Sequence, residues 1–116
     1  MQVEVNTDNH IAGSEALSRQ VETEVQGALE RFGDQIIRVI VQLNDTNGHK
    51  SGTRDKRCLM EARIAGHQPV AVSHEAASLD EAISATAEKL ERSLDSIIGK
   101  LGHKKGRTPF GGDQTL

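Results

Sequence analysis

The apolar residues of this chain change their spacing along its length, and that change of period constrains the fold more than any single motif does. Residues 2–6 read Gln2-Val3-Glu4-Val5-Asn6, the alternation of a strand with one buried face. Leu17, Val21, Val25, Ala28, Leu29 and Phe32 then fall on one stripe at helical spacing. Ser14 precedes that stripe as a helix N-cap, with Glu15 beside the positive end of the helix dipole, and the spacing predicts a helix to about Phe32 with Gly33 as a left-handed stop. Residues 36–43 are rich in β-branched side chains and predict a central strand, with Ile37, Val39, Val41 and Leu43 toward the core. A third strand is predicted over 58–65, with Cys58, Met60, Ala62 and Ile64 on one side. After the turn Gly66-His67-Gln68-Pro69, a fourth is predicted over 70–75, where Pro69 fits only the first position or an edge. Ser78 and Glu81 form a capping box. The helix after it carries Leu79, Ile83, Leu90, Leu94, Ile97, Ile98 and Leu101 on one face and is expected to end near Leu101 or Gly102.

This order, β-α-β-β-β-α, predicts an α+β two-layer sandwich. A right-handed crossover makes the first two strands parallel, the next two follow as a meander, and both helices cover one face of a four-stranded sheet. The folded domain is expected over 1–102 and a flexible C-terminal tail over 103–116, where Gly106, Pro109, Gly111 and Gly112 gather. Residues 44–56 hold Asp45, Asn47, Gly48, Ser51 and Gly52 and read as a long flexible loop; 8–13 read as a shorter polar one. The open face of the sheet would show Gln2, Glu4, Arg38, Gln42, Glu61, Arg63 and Ser73. With two Phe and neither Trp nor Tyr among 116 residues, the core must be aliphatic, and that open face has no ring on which RNA bases could stack.

The net charge of −3 argues against a general polyanion binder, yet it conceals a pattern. Residues 1–48 carry three basic and eight acidic side chains, and residues 68–99 carry two and six. Residues 49–67 carry five basic and two acidic, and residues 100–116 four and one. Positive charge is thus gathered in the loop with the third strand, and at the C-terminal end. On the second helix, stepping ~100° per residue, Lys89, Arg92, Ser96, Lys100 and His103 lie within roughly 60° of one line, while Asp80, Glu88, Glu91 and Asp95 fall on the back. The helix therefore has a core stripe, a basic flank and an acidic back. A solvated helix laced with ordinary ion pairs explains that pattern equally simply. Lys50, Arg54, Lys56 and Arg57 are the other set of candidate phosphate contacts, and a mobile solubilising loop is the plain alternative for them.

Other chemistry finds no support. His10, His49, His67, His74 and His103 are scattered without metal-ligand spacing, and no metal or cofactor is expected. Asp45-Thr46-Asn47-Gly48 has its glycine two positions too early for a calcium loop, and Lys56 stands where the bidentate Glu belongs. Cys58, the single cysteine, excludes an internal disulfide, fits a reducing cytosol, and reads as a small buried hydrophobe rather than a nucleophile. No catalytic constellation or small-molecule site emerges. The longest apolar stretch, 36–43, is interrupted by Arg38 and Gln42 and is too short to span a bilayer; the N-terminus lacks the apolar run of a signal peptide.

Met1-Gln2-Val3-Glu4-Val5-Asn6 followed by Ser14-Glu15-Ala16-Leu17 resembles the start of the ribosome hibernation promoting factor family, also called ribosome-associated inhibitor, protein Y or sigma-54 modulation protein. The resemblance continues through Arg31-Phe32 and Ile37-Arg38-Val39. It is clearest in Ala82-Ile83 and Lys89-Leu90-Glu91-Arg92-Ser93-Leu94, and it covers about residues 1–105. It implies the same β-α-β-β-β-α fold and the family's short form, without the second, dimerising domain of its long members. It implies a cytoplasmic, non-enzymatic translation inhibitor, monomeric off the ribosome. Such a protein binds the small ribosomal subunit, with its 16S rRNA and neighbouring ribosomal proteins, in the channel for messenger and transfer RNA during stress or stationary phase. Lys89 and Arg92 match the family's basic second-helix positions, and Lys100 matches the later basic cluster loosely. Lys50, Arg54, Lys56, Arg57, Lys104 and Lys105 complete the candidate RNA-binding set. Where many members have a dense Lys/His/Arg run, this chain has Asp95-Ser96-Ile97-Ile98-Gly99, and its loop between strands two and three is longer. The competing expectation is a protein-binding stress regulator of the same fold with weak or no ribosome affinity.

Overall fold

A computed structural model describes residues 1–8, 11, 13–45 and 55–105, with residues 100–105 as backbone only. Its elements are β1 (Gln2–Thr7), α1 (Glu15–Leu29), a 3-10 segment (Glu30–Gln35), β2 (Ile36–Asp45), β3 (Lys56–Ile64), β4 (Val70–Ala76) and α2 (Leu79–Lys105). The strands form one sheet in the order β1-β2-β3-β4, with β1 parallel to β2 and the other pairs antiparallel. α1 packs on β1, α2 on β3 and β4, and the helices meet each other. This is the predicted α+β architecture.

Local chemistry sets most boundaries. The Ser14 hydroxyl accepts from the Leu17 N–H at 3.0 Å and the Ser78 hydroxyl from the Glu81 N–H at 3.2 Å, so both helices start at side-chain caps. Gly33 has φ 57°, the left-handed backbone expected of it. α1 itself stops at Leu29, three residues before the predicted end, because the chain tightens into the 3-10 segment on its way to the glycine. At the other terminus the backbone of α2 continues through Lys105, past the predicted stop near Leu101 or Gly102. Residues 106–116, most of the expected tail, lie outside the described residues.

The core is aliphatic, as the composition requires. Val39, Val41 and Leu43 of β2, Met60 and Ala62 of β3, Val21, Val25 and Leu29 of α1, and Ile83, Leu90 and Leu94 of α2 are buried together. One expected core residue is misplaced. The β2–β3 register shifts between Ile36 and Arg38, a β-bulge. Ile36 therefore turns inward at 1% exposure and Ile37 outward at 58%, and the alternation resumes correctly only at Val39. Ile11 and Thr86 are among the buried residues that the periodicity did not mark. Ile11, from the polar loop, joins the core. Thr86, fully buried on α2, donates its hydroxyl to the Ala82 carbonyl at 2.6 Å, and the Cys58 carbonyl lies 3.3 Å away. The Thr86 hydroxyl is thereby satisfied inside an apolar interface, where an unpaired one would cost about 1–3 kcal/mol.

Candidate nucleic-acid interface

Asn44, Asp45 and Lys56 were expected in a loop, yet they belong to strands: β2 extends to Asp45, and β3 begins at Lys56 directly opposite it. Side chains explain the extension. The Asp8 carboxylate accepts from the Asp45 N–H at 3.0 Å and from the Asn44 amide at 3.4 Å. The Lys56 ammonium stands 3.2 Å from Asp45 Oδ2 and 3.3 Å from Asp55 Oδ2. Both of these aspartates are buried. One lysine thus clamps carboxylates from either side of the gap between β2 and β3. The hydrogen bond to Asp45, opposed by desolvation and helped by Asp55, raises the Lys56 pKa above its ordinary 10.5.

Arg57, the next residue, points the other way. Along β3, Lys56 shares the helix-facing side with Cys58 and Met60, while Arg57 shares the open face with Leu59, Glu61 and Arg63. Arg57 is exposed, with Asn44 across on β2 and Glu75 across on β4. Beside it, the half-buried Lys89 of α2 reaches the edge strand β4 and donates to the Ser73 carbonyl at 3.0 Å. Arg57, Ser73, His74, Glu75 and Lys89 line one depression of about 370 Å³ at that edge. Arg92 lies one turn farther along α2, exposed and without an ion pair among the described residues. A neighbouring depression of about 420 Å³ is lined instead by acids, Glu75, Glu81 and Glu88, with His74 on the boundary between the two.

The structure thus brings together Arg57 and Lys89 from the two candidate clusters, leaves Arg92 one turn beyond Lys89 on α2 and outside that depression, and ties Lys56 into an internal clamp. Lys50 and Arg54 lie outside the described residues. Lys100, Lys104 and Lys105 lie on the last turns of α2, and their side chains are outside the described set. Sequence reasoning missed His74. Its parity with Val70 and Val72 on β4 was the available signal, since it places His74 on the helix-facing side next to Lys89. The acidic back of α2 is not simply solvated, because Arg31, just after α1, pairs with Glu91 at 3.4 Å and Asp95 at 3.2 Å. On the open face Arg38 is held by Glu4 at 2.6 Å and stands directly opposite Arg63.

Cys58 is fully buried, and that burial pushes its thiol up to about 11, against a weaker lowering by its hydrogen bond with Thr86. At neutral pH it is a protonated core residue. Among the described residues no group of three or more His, Cys, Asp or Glu is placed to hold a metal ion, and no helix is long and apolar enough to cross a membrane.

A four-stranded mixed sheet backed by two helices, with Arg57 and Lys89 lining one depression at its outer edge, defines a small α+β domain. The chain belongs to the sigma 54 modulation protein / S30EA ribosomal protein family, whose family model matches residues 4–101. Solved structures share its fold, among them the following two. The N-terminal domain of Protein Y from Thermus thermophilus superposes with a TM-score of 0.68 at 21% identity, over 84% of this chain and 99% of that one. A ribosomal subunit interface protein from Coxiella burnetii gives 0.67 at 15% identity, over 85% and 99%. No curated protein matches the chain.

Proposed function

We propose that this protein is a ribosome-associated translation inhibitor, a cytoplasmic hibernation factor that binds the small ribosomal subunit through 16S rRNA in the messenger and transfer RNA channel under stress. The observation that carries the reading is the convergence of Arg57 and Lys89 on one depression at the β4 edge, in a chain of a family named for a ribosomal protein. The names of the two fold neighbours support it, one being a Protein Y N-terminal domain and the other a ribosomal subunit interface protein. Arg57, Lys89 and Arg92 are its central phosphate contacts. Lys50, Arg54, Lys100, Lys104 and Lys105 are outer ones, and Lys56 acts mainly by fixing the strand end from which Arg57 projects. The protein does no covalent chemistry: it occupies space and neutralises phosphates, and it is a monomer off the ribosome. One observation favours the second reading, a protein-binding regulator: the acidic depression of Glu75, Glu81 and Glu88 beside the basic one would suit a basic peptide.

The test is pelleting with purified small subunits over a salt series. Each phosphate contact contributes about 0.7–0.9 to the log–log salt slope, so Arg57→Ala with Lys89→Gln should flatten it by roughly 1.5. A parent protein that fails to pellet, or a double variant that pellets like the parent, removes the ribosome reading and leaves the protein-binding regulator.

A further inference from the structure

The basic depression holds a third nitrogen base that the charge pattern did not include. His74 is half-buried on β4 and lines both the basic and the acidic depressions. Charged groups reach it from three elements, Arg57 from the open face through the shared depression and the others from the helix-facing side. From β3 come Arg57 and, diagonally on the helix-facing side, Lys56, whose ammonium is occupied by Asp45 and Asp55. From β4 comes Glu75, and from α2 come Lys89 in the one depression and Glu81 and Glu88 in the other. Directly across the strand pair is Cys58, a protonated thiol with no charge.

We propose that this depression is a phosphate subsite of proton-linked affinity, in which protonated His74 completes a three-cation cradle with Arg57 and Lys89. The proposal rests on the phosphate reading of the depression and adds to it a ligand and a regulation. Donor capacity favours it. Lys89 spends one of its three ammonium donors on the Ser73 carbonyl and keeps two, and Arg57 brings five. A neutral imidazole offers one donor, whereas the protonated ring offers two and a charge. Glu75 also lines the depression and repels an entering phosphate; a third cation offsets that carboxylate. Histidine is the side chain whose charge ordinarily changes between about pH 5 and 8. By linkage, the factor by which the proton tightens phosphate binding equals the factor by which phosphate tightens proton binding.

The experiment has two arms on the full chain. In the first, binding to small subunits is measured at constant ionic strength at about pH 8 and about pH 6. The parent should bind about fivefold more tightly at the lower pH, the low end of ordinary coupling between sites. His74→Gln should bind no more tightly at the lower pH than at the higher, while His67→Gln, altered on an exposed turn, keeps the parent's dependence. In the second arm, inorganic pyrophosphate is titrated while NMR follows the imidazole C–H resonance that disappears in His74→Gln. Its titration midpoint should move to higher pH as pyrophosphate is added. The second arm stands even where the ribosome reading fails. A His74→Gln variant that keeps the parent's pH dependence overturns the proposal, and so does a midpoint that pyrophosphate leaves in place, the result expected where protonated His74 turns to Glu81 and Glu88 instead.

Discussion

Lys56 and Arg57 are neighbours in sequence with the same charge, and the fold gives them opposite duties. Lys56 faces the helix side, where two buried carboxylates hold it at the mouth of the β2–β3 connection. Arg57 faces the open side and lines a depression shared with Lys89 of a different element. The alternation of a strand, with one side chain up and the next down, separates a structural cation from a presented one. A count of basic residues cannot make that distinction. The lesson extends to α2, where Lys89 does both: its stem and one donor shield the sheet edge, and its remaining donors face the depression.

Breaking this contrast should begin with Lys56. Lys56→Met leaves Asp45 and Asp55 without the cation between them, and it should lower the melting temperature by several degrees, the largest effect anticipated in this set. Arg57→Ala in parallel should melt within about 0.5 kcal/mol of the parent, as exposed substitutions do. Equal losses in the two melting curves would erase the distinction.

Alkaline titration sharpens it on the helix side of the sheet. The Cys58 thiol has its pKa raised from 9.0 to about 11, so the folded state holds that proton more tightly than the unfolded chain. Its contribution is full below pH 9.0, declines as pH rises, and is lost once pH passes about 11, amounting to about 3 kcal/mol. The raised Lys56 pKa adds a second loss that begins above 10.5. Cys58→Ala should abolish the first step and Lys56→Met the second in denaturant melts across that range. Arg57→Ala should change neither, since its guanidinium stays charged throughout.

Smaller effects belong to binding. Charge reversal in Arg57→Glu should weaken small-subunit binding about tenfold, or roughly 1.4 kcal/mol, read by pelleting at moderate salt. Arg92→Ala should cost less, and a Lys104→Ala, Lys105→Ala double variant at the far end of α2 least of all, under about threefold. A Lys104→Ala, Lys105→Ala variant weaker than Arg57→Glu would move the centre of the interface to the C-terminal end of α2.

Much of this was legible in the residues. The two hydrophobic periods fixed the element order, the caps at Ser14 and Ser78 fixed both helix starts, and the missing aromatic rings fixed an aliphatic core. Such features are local, and one residue's neighbours in sequence are enough to state them. The bulge at Ile36–Ile37 was not legible, because both residues are equally apolar and only pairing with β3 decides which one turns inward. Nor was the Asp8–Asp45–Asp55–Lys56 cluster, whose polar residues read as a turn until β1 and β3 bring partners from distant positions.

The sequence by itself therefore determined the architecture, the family and the inventory of cations. Tertiary structure alone decided which cations are tied to carboxylates and which are presented at the surface, since that depends on which carboxylates and carbonyls lie across a strand pair or a helix–sheet contact. His74 owes its place beside Arg57 and Lys89 to strand register and to the path of α2 over the β4 edge, and neither is written in the spacing of its own neighbours.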